Sequence, residues 1–259
     1  IVGSKQRLLG DGSKIRGDIN VFLVGDPGTA KSEMLKFCAR IAPRGLYTSG
    51  RGSTAAGLTA AVVRDKTGIM MLEVGAVVLG DQGLVSIDEF DKMKPEDRSA
   101  LHEVMEQQSA SIAKGGIVAT LNARTSILAA ANPKLGRFDP YELLAKQINL
   151  PPALINRFDL IFPVKDLPDK DKDEAMAKFI LDLHKLQDVG KSEIDTDLLR
   201  KYIAYARSNV NPRITDEASK TIQEYYVKVR NSGGENEHGL KAVPISARQL
   251  EALVRLAEA

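Results

Sequence analysis

Residues 25–32 read Gly-Asp-Pro-Gly-Thr-Ala-Lys-Ser, and this stretch decides the fold. The apolar run Val21–Val24 precedes it and predicts a buried strand, and a helical pattern begins near Lys31. A loop between a strand and a helix turns backbone N–H groups inward, and the positive end of the helix reinforces them. We therefore predict a phosphate-binding loop made of Gly25, Asp26, Pro27, Gly28, Thr29, Ala30, Lys31 and Ser32.

The residue types within this loop suggest its chemistry. Lys31 is expected to reach the β- and γ-phosphates of a nucleotide, and the Ser32 hydroxyl is expected to bind Mg²⁺. Ala30 stands where such loops have a second glycine. Because alanine carries a Cβ, we expect close approach to phosphate only if φ of Ala30 is negative. The competing interpretation is a glycine-rich turn that merely starts a helix.

A second motif makes that simpler interpretation harder to hold. Leu84–Ile87 predicts a short buried strand, and Asp88 and Glu89 follow it directly. Parallel strands end together at the carboxyl edge of a sheet, where the ligands of open α/β folds bind. Asp88 can hold Mg²⁺, and Glu89 can polarise a water for attack on the γ-phosphate. Together the two motifs predict hydrolysis of a nucleoside triphosphate.

The composition is that of an ordinary globular protein. The 259 residues are 43% hydrophobic and 27% charged. Because the net charge is only +2, any contact with nucleic acid must come from local patches. The single cysteine, Cys38, excludes an internal disulfide framework and a cysteine-based zinc site. We find no apolar run long enough to span a membrane and no signal peptide, so we expect no membrane partner.

Strand and helix patterns alternate over the first part of the chain. Strands are predicted near residues 20–24, 45–48, 84–87, 125–130 and 160–162. This alternation predicts an α/β fold with a parallel sheet covered on both faces. After Leu167–Pro168 the periodicity is helical, and Ser246–Gln249 predicts a capping box that opens a last helix. We predict an α/β core over residues 1–167 and a small all-helical domain over 168–259.

These motifs and several others closely resemble the minichromosome maintenance (MCM) replicative DNA helicases, which are AAA+ ATPases. The shared stretches are the phosphate loop with its Ala30, Ser53–Thr59, Ile87–Phe90, His102–Gln108, Ser111–Lys114, Ala131–Pro133 and Arg157–Leu160. The resemblance covers nearly the whole chain. It implies an AAA+ P-loop NTPase core with two β-hairpin inserts and a helical lid.

The resemblance also implies cofactors and partners. They are ATP and Mg²⁺, DNA bound without sequence specificity, and further copies in a ring that is hexameric in the full-length protein. We expect this chain to be the motor alone, without the family's N-terminal domain and truncated within the last lid helix. The short inserts resemble those of archaeal members, which implies a cytoplasmic protein, whereas a eukaryotic member would be nuclear.

Further site residues are carried over from the family. Asn132 resembles the polar residue that senses the γ-phosphate, although an Asn-Pro turn cap explains it on its own and would be favoured without the other motifs. Arg157 resembles the arginine finger delivered to a neighbouring subunit's ATP, and Arg248 resembles the second sensor arginine of the lid. For either arginine taken alone, a surface salt bridge is the simpler interpretation. Arg16 and Gln108 are further candidates for the subunit boundary.

Two stretches predict β-hairpins beyond a minimal ATPase core. The first runs from Leu58 to about Gly80 and carries Arg64 and Lys66 at its centre. The second is Ser111–Ala119, with Lys114 beside a Gly115-Gly116 turn. The resemblance implies that the hairpins face the DNA channel of a ring, so we assign DNA contacts to Lys114, Arg64 and Lys66. One lysine at a turn is ordinarily just solvated, but a ring of copies would form a cationic collar.

Two other functional classes remain open at this point. One is an AAA+ motor that remodels a protein partner, for which an aromatic pore loop would be expected. The other is a nucleotide-gated binding module without turnover, which would be expected to lack Glu89 or Arg157. Neither expected feature is found in this sequence.

Overall fold

The computed structural model describes residues 1–12, 14–66, 68–114, 116–139, 141–185, 194–232 and 245–259. Its strands are β1 (Arg7–Leu8), β2 (Lys14–Ile15), β3 (Val21–Gly25), β4 (Gly45–Ser49), β5 (Ala60–Arg64), β6 (Met70–Val74), β7 (Leu84–Asp88), β8 (Ser109–Lys114), β9 (Ile117–Asn122), β10 (Ser126–Ala131) and β11 (Leu160–Val164). Its helices are α1 (Lys31–Ile41), α2 (Ala55–Leu58), α3 (Ala76–Leu79), α4 (Pro95–Gln107), α5 (Leu144–Gln147), α6 (Pro152–Ile155), α7 (Lys170–His184), α8 (Thr196–Asn209), α9 (Asp216–Asn231) and α10 (Ala247–Glu258).

Five strands form a parallel sheet in the order β11-β3-β10-β7-β4. They coincide with the five predicted strands, so the predicted α/β fold is confirmed. Every residue of the central strand β10 is buried, as expected for a parallel sheet covered on both faces. The edge strand β11 contains Pro163, whose missing N–H is best tolerated at an edge.

Successive residues of β3 enter two different cores, because side chains alternate between the faces of a strand. Phe22 and Val24 join the larger core, which is covered by α4. Val21 and Leu23 pack against the smaller cluster around Leu35 of α1. The two helices therefore cover opposite faces, and α1 begins at the carboxyl edge of the sheet, where β7 and β10 also end.

Among the described residues after 168, the regular elements are the helices α7 to α10, in agreement with the helical pattern predicted there. Asp169, Asp195 and Thr215 cap three of them, since each side chain accepts a hydrogen bond from the backbone N–H three residues on. The predicted capping box of Ser246 and Gln249 is confirmed at the start of α10. The boundary after residue 167 stays a prediction.

Helix α7 exposes most of its apolar face. Met176, Phe179, Ile180 and Leu183 share that face, as the periodicity predicts, and each is about half exposed. None of the described helices combines the length and apolar character that crossing a membrane requires.

Both predicted hairpins are present. Strands β5 and β6 pair in antiparallel fashion from Ala60↔Val74 to Arg64↔Met70. Strands β8 and β9 pair from Ser109↔Asn122 to Lys114↔Ile117. The hairpins also approach each other, because β5 lies close to β8.

Candidate nucleotide site

The phosphate loop depends on unusual backbone geometry at three positions. A Cβ on Gly25 would lie 2.8 Å from the Val164 carbonyl oxygen, so glycine allows β3 and β11 to approach here. Gly28 adopts φ +85°, which favours glycine. Ala30 adopts φ +56°, so the negative φ that we set as the condition for close approach to phosphate is not found. Its methyl group is exposed, and the left-handed conformation therefore costs only local strain of about 1–2 kcal/mol.

Lys31 is held inside the loop. Its Nζ donates hydrogen bonds to the carbonyl oxygens of Gly25 (2.8 Å) and Asp26 (2.6 Å), and to Thr29 Oγ1 (3.2 Å). Burial lowers the pKa of the Lys31 ammonium, while nearby carboxylates, including that of Asp88, act in the opposite direction. The ammonium therefore sits where a β/γ-phosphate group would compete with backbone carbonyls for it.

Asp26 does not direct its carboxylate into the phosphate loop. Its Oδ1 accepts a hydrogen bond from the Phe138 N–H (2.8 Å), and its Oδ2 accepts one from the Asp166 N–H (2.9 Å). Its predicted role in nucleotide binding therefore has to come from its backbone. This arrangement could not be anticipated from the motif alone.

Asp88 and Glu89 stand at the end of β7, as predicted. Asp88 Oδ2 accepts a hydrogen bond from the Tyr47 hydroxyl at 3.0 Å. Glu89 accepts hydrogen bonds from Lys92 Nζ (2.5 Å) and Ser49 Oγ (3.2 Å). The pKa of the Glu89 carboxyl is lowered, chiefly by the bond from Lys92. Glu89 is thus ionised at neutral pH, as a general base must be.

Tyr47 and Ser49 belong to the neighbouring strand β4, whose register sets Ser49 beside Asp88. Burial and the hydrogen bond to Asp88 raise the pKa of Tyr47 to about 12. The hydroxyl consequently remains a donor at physiological pH and orients the carboxylate. Sequence analysis missed both residues, although polar side chains at the end of a predicted strand were a usable signal.

The loop and the acidic pair enclose a pocket of about 340 Å³. Its lining residues are Pro27, Gly28, Thr29, Ala30, Lys31, Ser32, Glu33, Asp88, Glu89, Asp91, Ala131 and Asn132. The donor set fits a magnesium nucleotide, because Mg²⁺ prefers hydroxyl and carboxylate oxygens and the first amides of α1 suit phosphate. Asn132 follows β10 at the pocket wall, and its backbone N–H donates to Asp91 Oδ1 at 3.3 Å.

Arg157 and Arg248 lie elsewhere, and neither is among the described residues that line this pocket. Both form ion pairs with one carboxylate, that of Glu106 on α4. Arg157 pairs with Oε2, and Arg248 Nη2 lies 3.0 Å from Oε1. The structure therefore brings the two predicted arginines together, but apart from the phosphate loop.

Family models match both parts of the chain. A model described as the MCM P-loop domain matches residues 1–184, and one described as the MCM AAA-lid domain matches residues 197–259. The chain belongs to the MCM family. The predicted AAA+ core and lid are thereby confirmed.

Relatives of this MCM chain include an archaeal protein and plant proteins. It is 53% identical over 260 residues to the minichromosome maintenance protein MCM of Saccharolobus solfataricus, covering 100% of this chain and 37% of that protein. It is 48% identical to the DNA replication licensing factor MCM4 of Arabidopsis thaliana, and 49% identical to MCM5 of that plant. Those matches cover 100% of this chain and 31% and 37% of the relatives. The chain thus spans about a third of the length of these curated relatives.

Three phenylalanines of this MCM chain pack together and connect the segment that carries Arg157 with the segment that carries Glu89. Phe22 of β3 stacks on Phe158 with ring centres 4.9 Å apart, and Phe90 meets both rings edge-on. Phe158 follows Arg157, and Phe90 follows Glu89. The buried cluster therefore fixes the backbone beside Arg157 and beside Glu89.

The remaining candidates at the subunit boundary have partners within the chain. Arg16 pairs with Asp159 at 2.9 Å, and Gln108 Nε2 donates to Asp18 Oδ2 at 2.5 Å. His102 offers its carbonyl oxygen to Arg157 Nε at 3.4 Å. Burial and the neighbouring Arg157 lower the pKa of the His102 imidazole, so it is neutral at physiological pH.

The predicted DNA contacts lie on the two hairpins of the MCM core. Lys114 ends β8, Arg64 ends β5, and Lys66 follows in the turn; all three are exposed. The turn residue Gly115 lies outside the described residues, while its neighbour Gly116 adopts φ +80°. The hairpins thus present cationic side chains to solvent.

Proposed function

We propose that this chain is the ATP-hydrolysing motor of a replicative DNA helicase. Two copies would complete each ATP site, and hydrolysis would move DNA past the hairpins. The observation that carries this proposal is the division of the site: the pocket holds the phosphate loop and Glu89, whereas Arg157 and Arg248 share Glu106 elsewhere. Membership of the MCM family supports the same assignment.

The pocket supplies one half of the proposed ATPase. Lys31 and the α1 N-terminus would hold the phosphates, and Ser32 with Asp88 would hold Mg²⁺, whose charge would offset that of the transferring phosphoryl group. Glu89 accepts a proton from the attacking water, and Asn132 orients the γ-phosphate. Tyr47 keeps Asp88 oriented from β4.

The neighbouring copy supplies the other half. A guanidinium stays charged and can grip two phosphate oxygens, so Arg157 stabilises the charge that develops in transfer. Its side chain is 14% exposed and that of Arg248 is 40% exposed. An incoming phosphate would displace Glu106 as their common anionic partner.

The hairpins provide the proposed grip on DNA. Lys114, Arg64 and Lys66 are repeated in every copy, so a ring would carry a cationic collar despite the net charge of +2. Backbone contacts of this kind track phosphates without reading sequence. We also propose the boundary after residue 167 as the hinge region between core and lid, and a cytoplasmic location unless the source cell has a nucleus.

The test is ATP-dependent unwinding of a forked DNA duplex, measured at concentrations where the chain assembles. Unwinding should vanish in Lys31→Ala. Lys114→Ala should keep ATPase activity but lose unwinding, whereas the control Lys178→Ala, an exposed lysine on α7, should keep both. The log–log salt slope of single-strand binding should decrease by about 0.7 for each phosphate that the variant no longer neutralises.

Two results would contradict the proposal. Intact unwinding by Lys114→Ala would remove this lysine from the DNA grip. ATPase activity that ignores single-stranded DNA in an assembled ring, together with no unwinding, would instead favour a motor that remodels protein.

A further inference from the structure

Asp26 connects the phosphate loop to two segments that lead away from the pocket. Only 5% of this residue is exposed, and both carboxylate oxygens accept backbone hydrogen bonds, from Phe138 and Asp166. Asp26 is not among the described residues that line the pocket. We propose that Asp26 is a positioning residue that couples nucleotide binding in the loop to the orientation of the helical lid.

The two segments that Asp26 holds have different destinations. Phe138 belongs to the stretch that follows Asn132 at the pocket wall. Asp166 lies between β11 and α7, in the connection from the sheet to the lid. The segments also approach each other, because the Lys165 ammonium lies 5.8 Å from the centre of the Phe138 ring. One carboxylate thus joins the loop, the pocket wall and the connection to the lid.

The backbone of Asp26 is attached to the phosphate-binding lysine. Its carbonyl oxygen accepts hydrogen bonds from Lys31 Nζ (2.6 Å) and Thr29 Oγ1 (2.8 Å). Its N–H donates to the Val164 carbonyl oxygen at 3.0 Å, at the end of β11. If Lys31 transfers to a phosphate, the Asp26 carbonyl no longer has a charged donor, while its side chain still holds Asp166. A change in the hydrogen bonds of the phosphate loop is therefore transmitted through Asp26 to Asp166, in the connection to the lid.

The chemistry requires a carboxylate rather than an amide at this position. An aspartate accepts two hydrogen bonds, whereas an asparagine has one acceptor oxygen and an NH₂ group that would face the second N–H. Asp26→Asn therefore breaks one of the two bonds with almost no change in volume. The inference rests on the proposed ATP-binding role of the loop, but it requires neither hydrolysis nor DNA.

The experiment is amide hydrogen exchange on the whole chain, with and without Mg²⁺ and a slowly hydrolysed ATP analogue. In the unaltered chain, nucleotide should slow exchange both in residues 27–35 and in peptides spanning 165–184. In Asp26→Asn the loop should still be protected, but the change in peptides 165–184 should disappear. The Phe138 or Asp166 amide should also exchange about tenfold faster without nucleotide, because a closed hydrogen bond protects it.

The control is Asp197→Asn, which changes an exposed aspartate in the first turn of α8 and should behave like the unaltered chain. If the Asp166 amide is the one that exchanges faster in Asp26→Asn, an unchanged lid response would overturn the proposal; if it is the Phe138 amide, an unchanged lid response in Asp166→Pro would overturn it. Asp166→Pro decides by the same criterion also if Asp26→Asn fails to bind nucleotide, because it removes the N–H that reaches Asp26 and leaves the sequence of the phosphate loop unaltered. If the unaltered chain itself binds no ATP analogue, the proposed function fails rather than the coupling.

Discussion

The phosphate pocket and the arginine pair differ in how they are built. The pocket lies at the carboxyl edge of the parallel sheet, whose central strand β10 is fully buried, and its residues come from the phosphate loop, the start of α1 and the ends of β7 and β10. The arginine pair joins the end of α6 to the start of the lid helix α10 through one half-exposed carboxylate, Glu106. The first region is a cavity lined by residues of the phosphate loop and the acidic pair. The second is a pair of cations whose anionic partner can be replaced.

On the proposed function, this difference would divide the nucleotide site between copies of one chain. In the pocket, Lys31 is buried, and hydrogen bonds from Tyr47, Ser49 and Lys92 orient the partly exposed Asp88 and Glu89. The two arginines instead share one half-exposed partner, which another anion could replace. The predictions below test each half separately.

Glu89→Gln should have the largest effect, lowering the turnover of ATP about a thousandfold while leaving ATP binding nearly unchanged. The amide cannot accept a proton from water, but it keeps the shape of the pocket. Single-turnover phosphate release and nucleotide titration would measure the two quantities. Near-normal turnover would remove Glu89 from the role of base.

Arg157→Ala should lower turnover about a hundredfold or more, because it removes the finger from the neighbouring site. Mixing it with Lys31→Ala provides the decisive control. Random assembly gives roughly a quarter of interfaces an intact pocket facing an intact Arg157, so activity should partly return. If the mixture stays as inactive as its components, Arg157 does not act on a neighbour.

Glu106→Gln should lower turnover about tenfold with little change in the KM for ATP, since the amide oxygen can hold only one of the two guanidinium groups. In mixtures of variants, turnover should decrease only at interfaces where the Glu106→Gln chain supplies Arg157 and Arg248 to its neighbour. Glu96→Gln, at the exposed start of α4, is the matched control. An equal decrease in both variants would indicate a general effect of charge on α4.

Lys92→Met should have the smallest effect near neutral pH, less than about twofold, because Glu89 remains ionised there. Lys92 lowers the pKa of Glu89, so activity should persist to lower pH in the unaltered chain. Its removal should move the acid limb of the rate profile to higher pH. Lys94→Met is the control. If Lys92→Met and the unaltered chain have the same acid limb, the ion pair of Lys92 with Glu89 does not set the pKa that governs activity.

The sequence predicted the pocket better than the arginine pair. The loop, its strand, and Asp88 with Glu89 are contiguous patterns whose local backbone dictates where they lie. Glu106 was not anticipated as the common partner of Arg157 and Arg248, because ion pairs between distant segments depend on how helices pack. The direction of the Asp26 carboxylate was not predicted for the same reason: the motif fixes its backbone, while Phe138 and Asp166 fix its side chain.

The hairpins show a similar limit. Their strands follow from alternating residues around polar, glycine-containing turns, and both are confirmed. The approach of β5 to β8 was not predicted, since nothing local encodes which hairpins become neighbours. The exposure of the apolar face of α7 was not predicted either. Hydrophobic periodicity identifies which residues share a face, but not which segment covers that face.

The left-handed Ala30 has a consequence for the kinetics of the loop. Alanine samples fewer backbone conformations than glycine, in the unfolded chain and in the folded loop alike. The conformational freedom of this residue is therefore lost during folding rather than during nucleotide binding. The loop should present its amides to an arriving phosphate already in their bound arrangement, and association should need little rearrangement of this turn.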